Sequence, residues 1–198
     1  MPKLIDHDAR RLMLVDAAWR VILRDGAGRM SVRAVAAEAG VSAGSLRHLF
    51  PTQAELLQFA MERVNSTVRT RIQGLPAELS ASERALRIAQ ELLPLDAERR
   101  AEMEVNLALI AAAMTNPTLA LARDESYAAI AYACEHILGL LASAGELDPT
   151  VDRALEAARL HAVIDGLAAH LTYRPADVDP GWADAVLHRH LASLRPPA

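Results

Sequence analysis

Cysteine and aromatic residues are nearly missing from this chain: Cys134 is alone, and Phe, Trp and Tyr together number seven in 198 residues. A single thiol excludes an intramolecular disulfide and a Cys-based zinc site, so a reducing, cytoplasmic setting is expected. With so few rings the core must be aliphatic, and 40 Ala and 29 Leu supply it. Such a composition favours closely packed helices over strands, which draw on β-branched and aromatic side chains. Long apolar runs are lacking too. The longest uncharged stretch, Val105 to Ala122, has 18 residues but is broken at Thr115-Asn116-Pro117-Thr118, which reads as a helix end and not as the middle of a membrane span. The opening MPKLIDHDARR has acids and no apolar segment, so no secretory signal peptide is expected. Glycine-rich phosphate loops, nucleophile elbows, paired-carboxylate spacings and fixed-period repeats are also missing, which leaves no catalytic residue, cofactor or solenoid to propose.

What is present is uneven. The length suits one or two domains, and the net charge is −4. Residues 1–73 hold 11 Lys/Arg against 7 Asp/Glu, whereas residues 74–198 hold 10 against 18. A small basic part followed by a larger acidic one suits a reader of polyanions joined to a second module.

Helix punctuation recurs along the whole chain. Leu12, Val15, Trp19, Ile22 and Leu23 form one stripe between Asp6 and Asp25, and Gly26 with Gly28 stops it. Ser31 caps a short helix through Ala39, Gly40 turns the chain, and Ser42 caps a second short helix ending near Phe50. Thr52 to Glu55 reads as a capping box for a long helix, with Leu57, Met61, Val64, Val68 and Ile72 as its stripe up to Gly74-Leu75-Pro76. Ser80 to Glu83 opens the next helix, which runs to Pro94; others run from Asp96 to about Asn116 and from Asn116-Pro117 to Gly145. Asp148-Pro149 and Asp179-Pro180 each offer an N-cap followed by proline at the first helical position, for helices ending near Tyr173 and Leu194. The expectation is an all-α chain of nine helices without a strand.

Residues 31–50 carry the chemistry. Two helices of about eight residues around a glycine turn have the proportions of a helix-turn-helix. Too short to persist alone, they would bury Val35, Ala36, Val41, Leu46 and Phe50 against the Trp19 stripe. The second helix would present Ser42, Ala43, Gly44, Ser45, Arg47 and His48; its small first residues allow close approach to base edges, and Arg47 and His48 reach phosphates or bases. By pattern alone, an ordinary helical hairpin fits equally well.

The stretch SVRAVAAEAGVSAGSLRHLFPTQAELL, residues 31–57, resembles the signature of the TetR-type one-component transcriptional regulators. Ala36, Ala39, Gly40, Val41, Ser42, Gly44, Leu46, Phe50 and Leu56/Leu57 stand in the family's order and spacing. Val163-Ile164-Asp165-Gly166-Leu167 is similar to a run in the ligand-binding half of the choline-responsive and multidrug branches. The resemblance implies a helix-turn-helix DNA-binding domain at residues 1–51, a connecting fourth helix at 52–74, and a ligand-binding and dimerisation domain at 75–198. It also implies that Ser31, Arg33, Ser42, Ala43, Gly44, Ser45, Arg47 and His48 line double-stranded DNA, with Arg10 or Arg11 near its backbone. Ser31 and Ser42 read first as helix caps. The chain departs from the family at Arg47, where Tyr is usual, at Leu49, often aromatic, and at Gln53, where Lys is usual. In the family the Tyr and Lys hold phosphates; Arg47 can replace such a contact, whereas Gln53 gives up a cation.

Further candidates lie in the acidic part. Met103, Asn106, Leu107, Ile110 and Met114, with Tyr127, Ile130, Tyr132 and Cys134, form an apolar run with polar tips that suits either a small-molecule cavity or plain core. The acidic excess suits a cationic ligand and equally suits plain solubility. His161 and Asp165, four apart on one helix face, read first as a structural pair and second as ligand-contacting positions; without a third ligand they form no metal site. His188 and His190 point to different sides of the last helix. Cys134 has no base beside it to make it a nucleophile. The last two helices carry Leu155, Leu160, Val163, Leu167 and Leu171, then Trp182, Val186, Leu187, Leu191 and Leu194. In the family these helices form a four-helix dimer interface, which here implies Leu160, Val163, Leu167, Leu171, Trp182, Val186 and Leu187, with small Ala158, Ala162, Ala168 and Ala169 allowing close approach in a C2 homodimer. The combined reading is a ligand-responsive, homodimeric repressor with no enzymatic activity. Against it stand a helical small-molecule-binding or adaptor protein whose helix-turn-helix no longer reads DNA, and an α-helical enzyme using His161 and Asp165.

Overall fold

A computed structural model describes residues 7–26, 29–175 and 177–196. Among them are nine α-helices and no strand: α1 (His7–Asp25), α2 (Val32–Glu38), α3 (Ala43–Leu49), α4 (Gln53–Gln73), α5 (Ala81–Glu91), α6 (Ala97–Ala113), α7 (Ala120–Ser143), α8 (Arg153–Tyr173) and α9 (Gly181–Ala192). The all-helical architecture expected from composition and punctuation is the one observed. The expected positions Asp6 and Gly28 lie outside the described residues, as does the side chain of Leu12.

Two compact units divide the chain, one comprising the described residues up to Val64 with Glu104–Arg123, the other Asn65–Met103 with Asp124 onward. In the first unit, α1 buries Leu14, Val15, Ala17, Ala18, Trp19, Val21 and Ile22, while Leu23 from the expected stripe is exposed. Val35 and Ala36 of α2, Leu46 of α3, Phe50, and Leu56, Leu57, Ala60, Met61 and Val64 of α4 are also buried. Full burial of one such Leu, Val, Ile or Phe is worth about 1.5–3 kcal/mol, which holds seven-residue helices that could not persist alone. Ser31 caps α2 by accepting the Ala34 N–H at 3.2 Å, and Ser42 caps α3 by accepting the Ser45 N–H at 3.1 Å. Between them Gly40 sits at φ +67°, with Val41 N–H donating to Ala36 O and Gly40 N–H to Ala37 O. This left-handed closing turn disfavours any residue with a Cβ.

The second unit has its own core. Ala85, Ile88, Ala89 and Leu93 from α5 and its end, Cys134, Ile137, Leu138 and Leu141 of α7, Leu160, Ile164, Leu167 and Leu171 of α8, and Ala183 and Leu187 of α9 pack together. Ser80 and Glu83 make the full reciprocal capping box expected for α5. Several boundaries differ from expectation for local reasons. α5 ends at Glu91, ahead of Pro94, because the residue before proline is pushed out of helical geometry. Asp148 does not start α8; its carboxylate accepts the Thr150 N–H and hydroxyl at 2.8 and 2.7 Å, forming a turn, and Asp152 caps α8 through Ala154 and Leu155 N–H groups. Asp179 accepts the Gly181 N–H at 3.0 Å from one residue further out, so Pro180 occupies the N-cap position without a side-chain bond, and α9 ends at Ala192. Asn116 caps a 3-10 turn, Pro117–Leu119, ahead of α7.

Candidate nucleic-acid interface

Each N-terminal candidate has a defined setting. Arg33, Arg47 and His48 are exposed and make no hydrogen bond or ion pair among the described residues. Ser42 and Gly44 are exposed, and Ser31, Ala43 and Ser45 are half-buried. Both Ser31 and Ser42 are caps, as their positions in the sequence imply. Arg10 does not stand free at the periphery: its guanidinium donates to the Ser45 hydroxyl, joining α1 to α3. Arg11 lies over the Phe59 ring at 4.8 Å, and Phe59 in turn packs against Phe50 with the rings tilted and their centroids 5.0 Å apart.

Other charges of this unit are spent on its scaffold. Glu38, at the end of α2, accepts from Arg20 at 2.8 Å and Arg24 at 2.7 Å, both on α1. Those bonds hold its carboxyl below the usual carboxylate range. Arg63 of α4 reaches Asp16 at 3.2 Å and lies 5.8 Å from the Trp19 ring. Gln53, the position where the sequence gives up a cation, donates its amide to Met30 O at 2.9 Å and so ties the start of α4 to the loop before α2. Sequence spacing gave no sign of the Arg10–Ser45 or Gln53–Met30 bonds, since each partner lies more than twenty residues away.

The acidic-half candidates fall into both units. Asn106, Leu107, Ile110 and Met114 belong to the first, with Asn106 buried and Met114 81% exposed; Met103, Tyr127, Ile130, His161 and Asp165 belong to the second. Within the second unit, the buried His161 ring lies 4.7 Å from the ring of exposed Tyr127 and 3.5 Å from the Asp165 carboxylate. Burial raises the Asp165 carboxyl above its ordinary value, against an opposing pull from His161. Cys134 is wholly buried, and burial together with Asp165 and Glu135 pushes its thiol up to about 12, the reverse of an activated nucleophile. Tyr132 is exposed and stacks on His136. No group of three His, Cys, Asp or Glu able to hold a metal occurs among the described residues.

The dimer candidates separate by face. Leu160, Leu167, Leu171 and Leu187 are at most 6% exposed and pack inside the unit's own core, so the chain itself already buries them. Val163 and Trp182 are half-buried at its margin, and Val186 is 44% exposed. Leu155, Ala158, Ala162 and Gly166 form the outward strip of α8. Ala168, expected as a close-approach residue, is buried instead.

One network had no signal in the sequence. Arg71, in the last turn of α4, chelates Glu102 of α6 at 2.6 and 2.7 Å and reaches Glu91 of α5 at 2.6 Å. Arg99 joins it, 3.5 Å from Glu91 and 2.8 Å from Asp96. Arg100 of α6 donates to the Leu171, Thr172 and Arg174 carbonyls at 2.8–2.9 Å, satisfying the end of α8.

Comparison with known proteins identifies the family. Residues 14–59 match the family described as bacterial regulatory proteins, tetR family, and residues 81–196 match the BetI-type transcriptional repressor, C-terminal. The HTH-type transcriptional regulator PksA of Bacillus subtilis (strain 168) is 38% identical over 195 residues, covering 98% of this chain and 94% of its own. A transcriptional regulator from Rhodococcus sp. Rha1 is similar in structure over 93% of this chain and 95% of its own, with TM-score 0.77 and 28% identity. A regulator from Saccharomonospora viridis solved in complex with choline shares the fold, with TM-score 0.84 at 22% identity over 96% of this chain and all of its own. These matches favour the regulator over an adaptor with a vestigial helix-turn-helix. The chain belongs to the TetR family: it is a helix-turn-helix transcriptional regulator with a BetI-type C-terminal part.

Proposed function

We propose that two copies of the chain bind a pseudo-palindromic operator, each placing α3 in a major groove, and that a small-molecule effector held by the second unit releases them. The observation that carries this reading is the α2–α3 face, where Arg33, Arg47 and His48 are exposed without partners among the described residues, beside the capping serines Ser31 and Ser42. The roles assigned to Ser31, Ser42, Ala43, Gly44 and Ser45 follow from their place on that face. Arg10 and Arg11 act from α1, Arg10 through Ser45. The DNA-reading module extends to residue 51, α4 connects it, and residues from 75 onward sense the ligand and pair the protomers. The pairing surface is the outward strip of α8 with Val163, Trp182 and Val186 beside it.

The effector we infer is a small organic cation. Tyr127, His161 and Asp165, with Met103 and Ile130 near the same core, provide a ring, a carboxylate and apolar contact, and residues 74–198 carry eight more acids than bases. α4 begins at the Gln53–Met30 tie and ends in the Arg71–Glu102 network, so its two ends are anchored in different units. An effector changes operator affinity through it only insofar as the two states of the protein bind that effector unequally. No catalytic step is assigned. No helix among the described residues is long and apolar enough to cross a membrane, and we place the protein in the cytoplasm. Recovery of genomic fragments on the purified chain, followed by sequencing, tests the reading. Enrichment of one palindromic motif supports it, and recovery indistinguishable from input DNA overturns it.

A further inference from the structure

We propose that the α2–α3 face reads DNA as a hydrogen-bond donor, with Arg10 acting as a positioning residue through Ser45, so that the bases it selects present acceptors, guanine foremost. The inference rests on the DNA-reading function above and specifies its substrate chemistry. A serine hydroxyl has one hydrogen and two lone pairs. On this face each serine already spends a lone pair: Ser31 accepts from Ala34 N–H, Ser42 from Ser45 N–H, and Ser45 from the Arg10 guanidinium. What remains to be satisfied when DNA displaces water is the hydrogen. A buried donor left unmade is costly, whereas a carbonyl or hydroxyl oxygen tolerates a spare lone pair more readily. The Arg10 cation also polarises the Ser45 O–H and strengthens it as a donor.

The rest of the face has the same sign. Arg33 and Arg47 are exposed guanidiniums with five N–H donors each and no acceptor. Ala43 and Gly44 carry no side-chain polar atom. Among the described residues, Glu38 is occupied by Arg20 and Arg24, Asp16 by Arg63, and Glu55 by the Thr52 hydroxyl. Apart from the serines' spare lone pairs, His48 alone among these side chains can offer an acceptor, its unprotonated ring nitrogen. In the major groove, guanine shows two adjacent acceptors, N7 and O6, adenine N7 and thymine O4 one each, while the amino groups of cytosine and adenine are donors. A donor face pairs with the former and leaves the latter unmet.

The test uses the full chain and a pool of random duplexes at fixed salt. After selection, each purine of the preferred half-site is replaced by its 7-deaza analogue, and each cytosine or adenine by its N4- or N6-methyl analogue. The expected result is a guanine at one or more strongly preferred positions, at least tenfold weaker binding when its N7 is removed, and less than twofold change on amino methylation. Arg10→Ala should erase the preference at one position, lowering binding to the selected duplex at least fivefold more than binding to unselected duplex, and Arg10→Lys should restore part of that preference. Conserved positions that respond to amino methylation and not to 7-deaza substitution would overturn the donor assignment. Arg10→Ala lowering selected and unselected binding by one factor would make Arg10 a plain backbone contact and overturn its positioning role. Tight but unselective binding overturns the inference alone; no binding to any duplex overturns the DNA-reading function with it.

Discussion

Arg71→Ala removes one guanidinium that meets two carboxylates, and the structure allows its effect to be sized. Glu102 is 5% exposed and would lose both of its short bonds to Arg71, at 2.6 and 2.7 Å. Breaking a buried pair from one side costs about 3–5 kcal/mol, because the remaining charge stays desolvated. Two features push the value to the lower end: the Arg71 side chain is 26% exposed, and Glu91 keeps Arg99 at 3.5 Å. The expected loss is therefore about 3 kcal/mol. In a chain of 198 residues this lowers the melting temperature by about 6–12 °C. Differential scanning calorimetry at pH 7 reads it directly. The paired variant Arg71→Met with Glu102→Leu should recover at least half of the loss, since it removes both charges and fills their volume. A single variant melting within 2 °C of the parent, or a double variant no better than the single, would refute the reasoning.

Three further outcomes are expected. Ser42→Ala should cost about 1 kcal/mol of stability through loss of the α3 cap, measured by urea unfolding, with Ser66→Ala, exposed in the interior of α4, as the comparison. His190 is buried, its Nε2 has no partner among the described residues, and burial, with Arg159, lowers its pKa below the ordinary histidine value against the opposing pull of Glu156. Its folded pKa lies below its unfolded one, so its contribution to stability is full above the unfolded value near 6.5 and falls as the pH drops through and below it. His190→Leu should flatten the loss of stability between pH 7 and pH 5, and an unchanged slope would remove His190 as its source. Ala162→Glu, on the exposed strip of α8, should give monomers in analytical ultracentrifugation with an unaltered helical circular dichroism spectrum; an intact dimer would move the pairing surface elsewhere.

The parts of the fold legible in the sequence are those set by neighbours. The Ser31, Ser42 and Ser80 caps and the Gly40 turn depend on residues within five positions, and residue type alone identifies them. Asp148 and Asp152 show where such reading stops: both are good caps, and Thr150 decides between them by capturing the Asp148 carboxylate. The face of α8 was harder still. Alanine fits inside or outside a core, so the Leu155 to Leu171 series read as one stripe although Leu155 is 64% exposed and Leu160 fully buried. On the α2–α3 face, the exposure of Arg47 and His48 follows from spacing, whereas the partners of Arg10 and Gln53 depend on tertiary approach across 35 and 23 positions. The missing cation at Gln53 looked like a loss for phosphate binding. In the fold its amide instead secures the loop ahead of α2.

The central claim is that the α2–α3 face binds duplex DNA, and the most direct measurement is a fluorescence anisotropy titration of the full chain against its selected duplex over a range of salt. Log Kobs should fall linearly with log salt, because cations displace counterions from phosphates, and Arg47→Ala should weaken binding by about 1–3 kcal/mol. A flat salt dependence, with Arg47→Ala indistinguishable from the parent chain, would contradict it.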